Sequence, residues 1–314
     1  MYKGHIGGDF SQSHRQTIDE EFGLVVNNPT PTYNEPISQM NPRSGMFYPP
    51  IPSETRVSSV LNSNNVPVAP VEEFTLSLPD PTQFKREWEA NKAVNIPNLF
   101  PTNQAHQIHD YYFNQPDNWW DLILYPDPYF DYDKSAVENP GYYHMYRTQD
   151  DDPSIPERLN HIHELNNRGI FSYTYRRTRD LQTQLHPYLQ LFQSQRFRKY
   201  ISLITGYDDL KYDESHTFVS NYSSGHFNGP HTDGANGRIA FVFHLSKDWL
   251  PGHGGLFMRM DWDWKTVNKV VVPPFNTLTM FDTQWDGQQG APHLVTEVAQ
   301  GCNNKRISYT GWYL

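Results

Sequence analysis

The chain has 314 residues, a formal net charge of −10 and a pI near 5.7. It is long enough to bury a sizeable core, and its acidity excludes broad electrostatic attraction to nucleic acid or an anionic membrane. The single cysteine, Cys302, excludes an intrachain disulfide and a thiolate zinc cluster, which favours a reducing setting. The amino-terminal MYKGHIGGDFSQSHRQ lacks an apolar signal core and no apolar run reaches membrane-spanning length, so the expectation is a cytoplasmic protein without a membrane partner.

Residues 1–70 hold nine of the 25 prolines and none of the eight tryptophans, and they show neither helical nor strand periodicity. This is an arm, extended or disordered, with Tyr33, Met46, Phe47, Tyr48 and Ile51 as anchors for a protein partner or for the chain's own body. The folded domain is expected over 71–314. Phe74, Leu76 and Leu78 alternate as in a short strand, and PTQFKREWEANKA then reads as a helix. Thr102 is placed to cap a second helix whose Ala105, Ile108 and Tyr112 share a face. Another helix is expected over 156–167, ending near Gly169, and one more through LHPYLQLFQSQRFRKYISLITG, stopping at Gly206.

Beyond Gly206 the pattern changes to period two. HTFVSNY, RIAFVFHLS, GGLFMRM, NKVVVPP, NTLTMFD, PHLVTEV and RISYTGWYL are seven short runs rich in β-branched and aromatic residues, separated by Gly, Pro and Asn turns. Helices first and then a block of strands indicate an α+β fold with a sandwich or jelly roll.

Most of the 14 histidines have no partner at a useful spacing. His161 and His163 lie two apart on a helix and therefore diverge. His231 and Asp233 differ, because residues i and i+2 of an extended segment project to one side and can share an ion. Gly229 and Pro230 are expected to bend the chain so that both face it. His293, 62 residues after His231 at the start of a late strand, completes a set of two imidazoles and one carboxylate, the facial triad of non-haem Fe(II) oxygenases. Arg306, 13 residues further on, offers a guanidinium fork to a carboxylate. Ser308 shares its strand face, and Lys305 points the other way.

His-Thr-Asp at 231–233, GRIAFVFHLSKDWLPGHGGLF, NTLTMFD, PHLVTEV and RISYTGWYL together resemble the 2-oxoglutarate and Fe(II) dependent dioxygenases, in their prolyl 4-hydroxylase-like branch. The resemblance covers about residues 95–314. It implies a double-stranded β-helix, or jelly roll, with helices packed on one sheet. It implies His231, Asp233 and His293 as catalytic iron ligands, with Arg306 and Ser308 binding the distal carboxylate of 2-oxoglutarate. Tyr222 sits where the family often has a tyrosine on the same carboxylate; the other reading is a core aromatic. Arg238 resembles an arginine at the substrate mouth or, equally, forms a structural salt bridge. Gly254, Gly255 and Asn276 read as turn positions. The implied cofactors are Fe(II), 2-oxoglutarate and O2, with ascorbate as an accessory reductant. The implied reaction hydroxylates an unactivated C–H bond of a peptide, protein or small-molecule substrate, a peptidyl proline being the branch's usual one. Two other readings stand beside it: a non-catalytic jelly roll built into a larger assembly through its arm, and a cupin-like metal module, which would not need Arg306 with Ser308.

Overall fold

The computed structural model describes residues 78–127, 145–149, 151–233, 237–284 and 292–314. The arm at 1–70 and nearly all of the strand expected at 74–78 lie outside these residues. The first helix is α1 (Pro81–Asn91), capped by the Asp80 carboxylate, which accepts from the Thr82 N–H at 2.9 Å. The second, α2 (Thr102–Phe113), does not use Thr102 as a cap: Thr102 is its first residue, and the Pro101 carbonyl accepts the Ala105 N–H. The fixed φ of Pro101 directs the chain into the helix without a side-chain cap. The helix read at 156–167 is α3 (Ile155–Asn167). After the four-residue α4 (Leu181–Gln184), the long helix expected through Gly206 is two pieces, a 3-10 segment at Pro187–Gln193 and α5 (Gln195–Thr205). Ser194 divides them: its backbone is extended and its hydroxyl caps α5 through the Phe197 N–H. Gly206 ends α5 in the left-handed region at φ 75°.

The described residues form one sheet of twelve antiparallel strands: β1 (Ala93–Pro97), β2 (Trp120–Tyr125), β3 (Tyr146–Thr148), β4 (Tyr173–Thr178), β5 (Phe218–Tyr222), β6 (Phe227–His231), β7 (Ile239–His244), β8 (Phe257–Met260), β9 (Val267–Val271), β10 (Thr277–Asp282), β11 (His293–Val295) and β12 (Arg306–Tyr313). All seven runs read from period two are strands. The strand order is β1-β10-β7-β12-β5-β4-β6-β11-β8-β9, with β2 and β3 added beside β4. The start of β4 pairs with β6 through Tyr173 and Thr174, and its end pairs with β5 through Arg176 and Arg177. The sheet therefore curls at β4 and brings β10-β7-β12-β5 to face β6-β11-β8-β9, which is a jelly roll, or double-stranded β-helix.

Alternation along the large sheet separates two cores. Val94, Ile96, Val219, Ile239, Phe241, Phe243, Leu278, Met280, Ile307, Tyr309 and Tyr313 face the helices and pack with Trp88, Ile108, Tyr112, Phe192, Phe197 and Ile201. The intervening residues point between the sheets, where Tyr222, Ala240, Phe281 and Trp312 meet Phe257, Val271 and Val295 from the small sheet. No helix among the described residues is long and apolar enough to cross a membrane.

Candidate metal centre and carboxylate pocket

His231 ends β6 and His293 opens β11, and the two stand directly opposite each other in the antiparallel register. Cross-strand partners project to the same side, so their rings lie 4.3 Å apart, centroid to centroid. Asp233, just beyond β6, completes the group. Its Oδ1 is 3.6 Å from His231 Nε2 and its Oδ2 is 3.6 Å from His293 Nε2. One ligand atom from each residue falls within 4.8 Å of the others, and all three side chains are buried.

His231 Nδ1 donates to the Gly229 carbonyl at 2.8 Å, and Nε2 is turned to Asp233. Such a backbone acceptor fixes the tautomer a metal-binding imidazole needs. Burial acts to raise the Asp233 pKa, but His293, the His231 hydrogen bond and the Trp312 indole outweigh it and hold the carboxyl below its ordinary value. Aromatic faces surround the three: Phe171 packs on His231 at 5.4 Å, and Phe257 and Phe281 pack on His293 at 5.4 and 5.0 Å. Gly229 and Pro230 do not bend the chain; both lie within β6. Gly229 is required for another reason, because a Cβ there would come within 2.7 Å of the Ser172 carbonyl, which also accepts the Gly229 N–H.

The second group lies on the inner face of the large sheet. Arg306 opens β12 opposite Tyr222 of β5, with its guanidinium carbon 5.0 Å from the ring centroid. It is 2 % exposed. Nη1 reaches Ser308 Oγ only at 3.5 Å, and Nε has no partner. Among the described residues no carboxylate acts on it: burial lowers its pKa and only Tyr222 opposes. A buried guanidinium without a counter-ion is costly, and a carboxylate from outside the chain is the chemistry that would relieve it. Ser308 Oγ lies 2.8 Å from Ser220 Oγ, so a second hydroxyl shares this pocket. Burial pushes the Tyr222 hydroxyl far above its ordinary pKa, so it stays protonated and able to donate.

Lys305 points to the opposite side, as alternation requires. Its Nζ donates to the Phe113 and Gln115 carbonyls at 3.0 and 3.1 Å, at the carboxy end of α2. Arg238 forms a structural ion pair: Nη2 is 3.3 Å from Asp282 Oδ2 and 2.6 Å from the Tyr207 hydroxyl. Asn276 is a turn residue at φ 57° whose side chain clamps the Phe100 backbone. Gly255, at φ 59°, does more than turn: a Cβ there would approach Arg306 Cδ at 2.9 Å, so its bareness shapes the arginine's seat. That contact joins residues 51 apart and leaves no trace in local pattern. His244 is also missed by spacing, although the parity of β7 places it with Ala240 on the inner face.

A jelly roll that encloses two histidines and one carboxylate carries the donor set of a facial-triad metal site, and a buried arginine whose Nε has no partner lies on its inner face. Residues 217–314 match the family model of the 2OG-Fe(II) oxygenase superfamily. This matching carboxy-terminal segment carries His231, Asp233, His293, Tyr222, Arg306 and Ser308. No curated protein matches the chain. Similar solved structures include a 2OG-Fe(II) oxygenase family oxidoreductase from Burkholderia pseudomallei, 13% identical, covering 76% of this chain and 93% of its own, with a TM-score of 0.46. A prolyl-4-hydroxylase from Pseudomonas putida is 16% identical over 75% of this chain and 99% of its own, at a TM-score of 0.43. A prolyl 4-hydroxylase from Phytophthora capsici is also 16% identical, over 79% of this chain and 69% of its own, at 0.43.

Proposed function

We propose that the protein is an Fe(II) and 2-oxoglutarate dependent oxygenase that hydroxylates an unactivated C–H bond of a prolyl residue in a peptide or protein. The observation that carries this is the pairing of a buried His231-Asp233-His293 cluster with a buried Arg306 that has no carboxylate partner among the described residues. His231, Asp233 and His293 would hold the iron on one face and leave the other for ligands. Arg306, with the Ser308 and Tyr222 hydroxyls, would hold the distal carboxylate. Bound together, iron and 2-oxoglutarate supply an oxidant by coupling decarboxylation of the co-substrate to reduction of O2. The chain's part is to fix ligand geometry, orient the co-substrate and exclude water.

The prolyl assignment is supported by the motif resemblance and by the rim beside His231. Phe171 touches that ligand, Tyr125 lies 5.3 Å from Phe171 and stacks on Tyr173 at 4.9 Å, and Met145 joins the same cluster. Tyr125, Phe171 and Met145 are half-buried, and apolar side chains of this kind suit a saturated ring.

The test begins without oxygen. Adding Fe(II) and then 2-oxoglutarate should produce the visible charge-transfer band of bidentate chelation. Admission of air should then yield succinate and, with a proline-containing peptide, a product heavier by one oxygen atom. A folded protein that gives no band sinks the oxygenase reading. A band with succinate, but with no oxygen gained by any peptide in a proline-rich panel, overturns the prolyl assignment alone.

A further inference from the structure

One buried histidine on the inner face belongs to neither the triad nor the arginine's seat. His244, 1 % exposed, stands directly opposite Ser308 in the pairing of β7 with β12. Its tautomer is readable from the hydrogen-bond chain beside it. The Thr279 hydroxyl donates to Asn95 Oδ1 at 2.7 Å, so Thr279 Oγ1 is left to accept, and His244 Nε2, 3.1 Å away, carries the proton. Nδ1 is therefore a bare lone pair, fully buried and without a partner.

The polar residues that share the inner face with this ring are Thr277 and Thr279 from β10, Arg306 and Ser308 from β12, Ser220 and Tyr222 from β5, and Asn95 from β1. Arg306 is the charge that acts on it, and burial together with that charge keeps the imidazole neutral. The pocket thus holds an unmatched donor, Arg306 Nε, and an unmatched acceptor, His244 Nδ1. A carboxylate satisfies the first and repels the second. Once it is bound, however, it cancels the positive charge that disfavours imidazolium and offers an acceptor for a new N–H.

We infer that His244 is a positioning residue for the co-substrate carboxylate and takes up one proton from solvent when that carboxylate binds at Arg306. This rests on the 2-oxoglutarate reading above. The sign follows from linkage: the complex has the higher His244 pKa, so affinity is greatest below the free protein's pKa and falls as pH rises from that value to the bound one. The fall is at most about tenfold per pH unit between the free and bound values.

The test uses the full chain with Fe(II) under anaerobic conditions. 2-Oxoglutarate is titrated by calorimetry in pairs of buffers with different ionisation enthalpies across pH 5.5–8.5, with the visible band read in parallel. Wild type should take up a fraction of a proton approaching one. H244Q keeps an amide donor and cannot titrate; it should bind 2-oxoglutarate more weakly than wild type and lose that uptake, and whatever pH dependence remains belongs to the triad. Equal proton uptake in wild type and H244Q overturns the inference, as does none in wild type. Absence of any binding in wild type instead overturns the 2-oxoglutarate reading itself. Should H244Q not fold, 15N-histidine spectra of the wild-type Zn(II) form decide: Nδ1 should change from a lone pair to a protonated nitrogen on adding 2-oxoglutarate, and an unchanged signal overturns the proposal.

Discussion

The two faces of the large sheet are made by the same strands and do opposite work. On β12, Ile307, Tyr309 and Tyr313 enter the helix-covered core, while Arg306, Ser308 and Trp312 point between the sheets. On β7, Phe241 and Phe243 face the helices, while Ala240 and His244 face inward. The outer face is closely packed rings: Phe192 contacts Phe197, Phe241, Phe243 and Tyr309 at centroid distances of 4.9–5.7 Å. The inner face carries buried polar atoms with unmet hydrogen bonds at Arg306 and His244. Unsatisfied groups cost stability, and the outer face supplies it. A period of two lets one strand separate the two tasks at neighbouring positions, so substitutions one residue apart should fail in different ways.

The sharpest way to break that separation is at the metal centre. Asp233→Ala should abolish Fe(II) binding and turnover, because two imidazoles alone do not make the facial set. Its metal-free melting temperature should fall modestly, since the lowered pKa of Asp233 marks a net stabilisation of the carboxylate by its neighbours. A collapse of the fold in calorimetry would show that inner-face polarity is structural. The complementary change is Phe241→Ala on the outer face, where a fully buried ring is lost. It should cost about 3–5 kcal/mol of stability in denaturant titrations and leave 2-oxoglutarate affinity near wild type at temperatures where it remains folded. Affinity lost in proportion to stability would mean that the faces are coupled.

Arg306→Ala tests the inner face away from the metal. Truncating one partner of a buried charge pair costs about 2–5 kcal/mol, so 2-oxoglutarate affinity should fall by at least about thirtyfold while Fe(II) binding persists. The free protein should not be destabilised, because the guanidinium has no counter-ion to lose among the described residues. Unchanged affinity would remove Arg306 from the carboxylate site.

How much of this was legible in the sequence follows the same division. The seven strands of the carboxy-terminal block announce themselves by β-branched and aromatic alternation, and the triad is recoverable because an extended i, i+2 pair shares a side. β6 was hidden because Gly229 and Pro230 ordinarily break strands; only the approach of Ser172 explains the glycine. β2 was hidden by the opposite cause: WDLILY is buried nearly throughout, so it shows no alternation and cannot be told from a buried helix by period. The division of the last long helix at Ser194 was hidden because a serine inside an apolar period reads as tolerated, whereas here its hydroxyl caps the next helix. His244 carried no motif at all, and its significance lies in a partnerless nitrogen that only tertiary register creates.

Gly255 gives the finest test, since it stands where the inner face meets a turn. Its φ of 59° is in the left-handed region, and a Cβ would meet Arg306 Cδ at 2.9 Å and Trp249 Cζ2 at 3.1 Å. Gly255→Ala therefore adds backbone strain of about 1–3 kcal/mol and pushes on the arginine. Were the glycine only a turn residue, denaturant titration would show that loss and 2-oxoglutarate would bind as before. Because the nearest obstruction is the side chain proposed to seat the carboxylate, affinity should also weaken, by less than in Arg306→Ala, and the two substitutions together should cost less than the sum of their separate effects on binding. Strict additivity would separate the glycine from the carboxylate site and return it to the role its sequence context suggests.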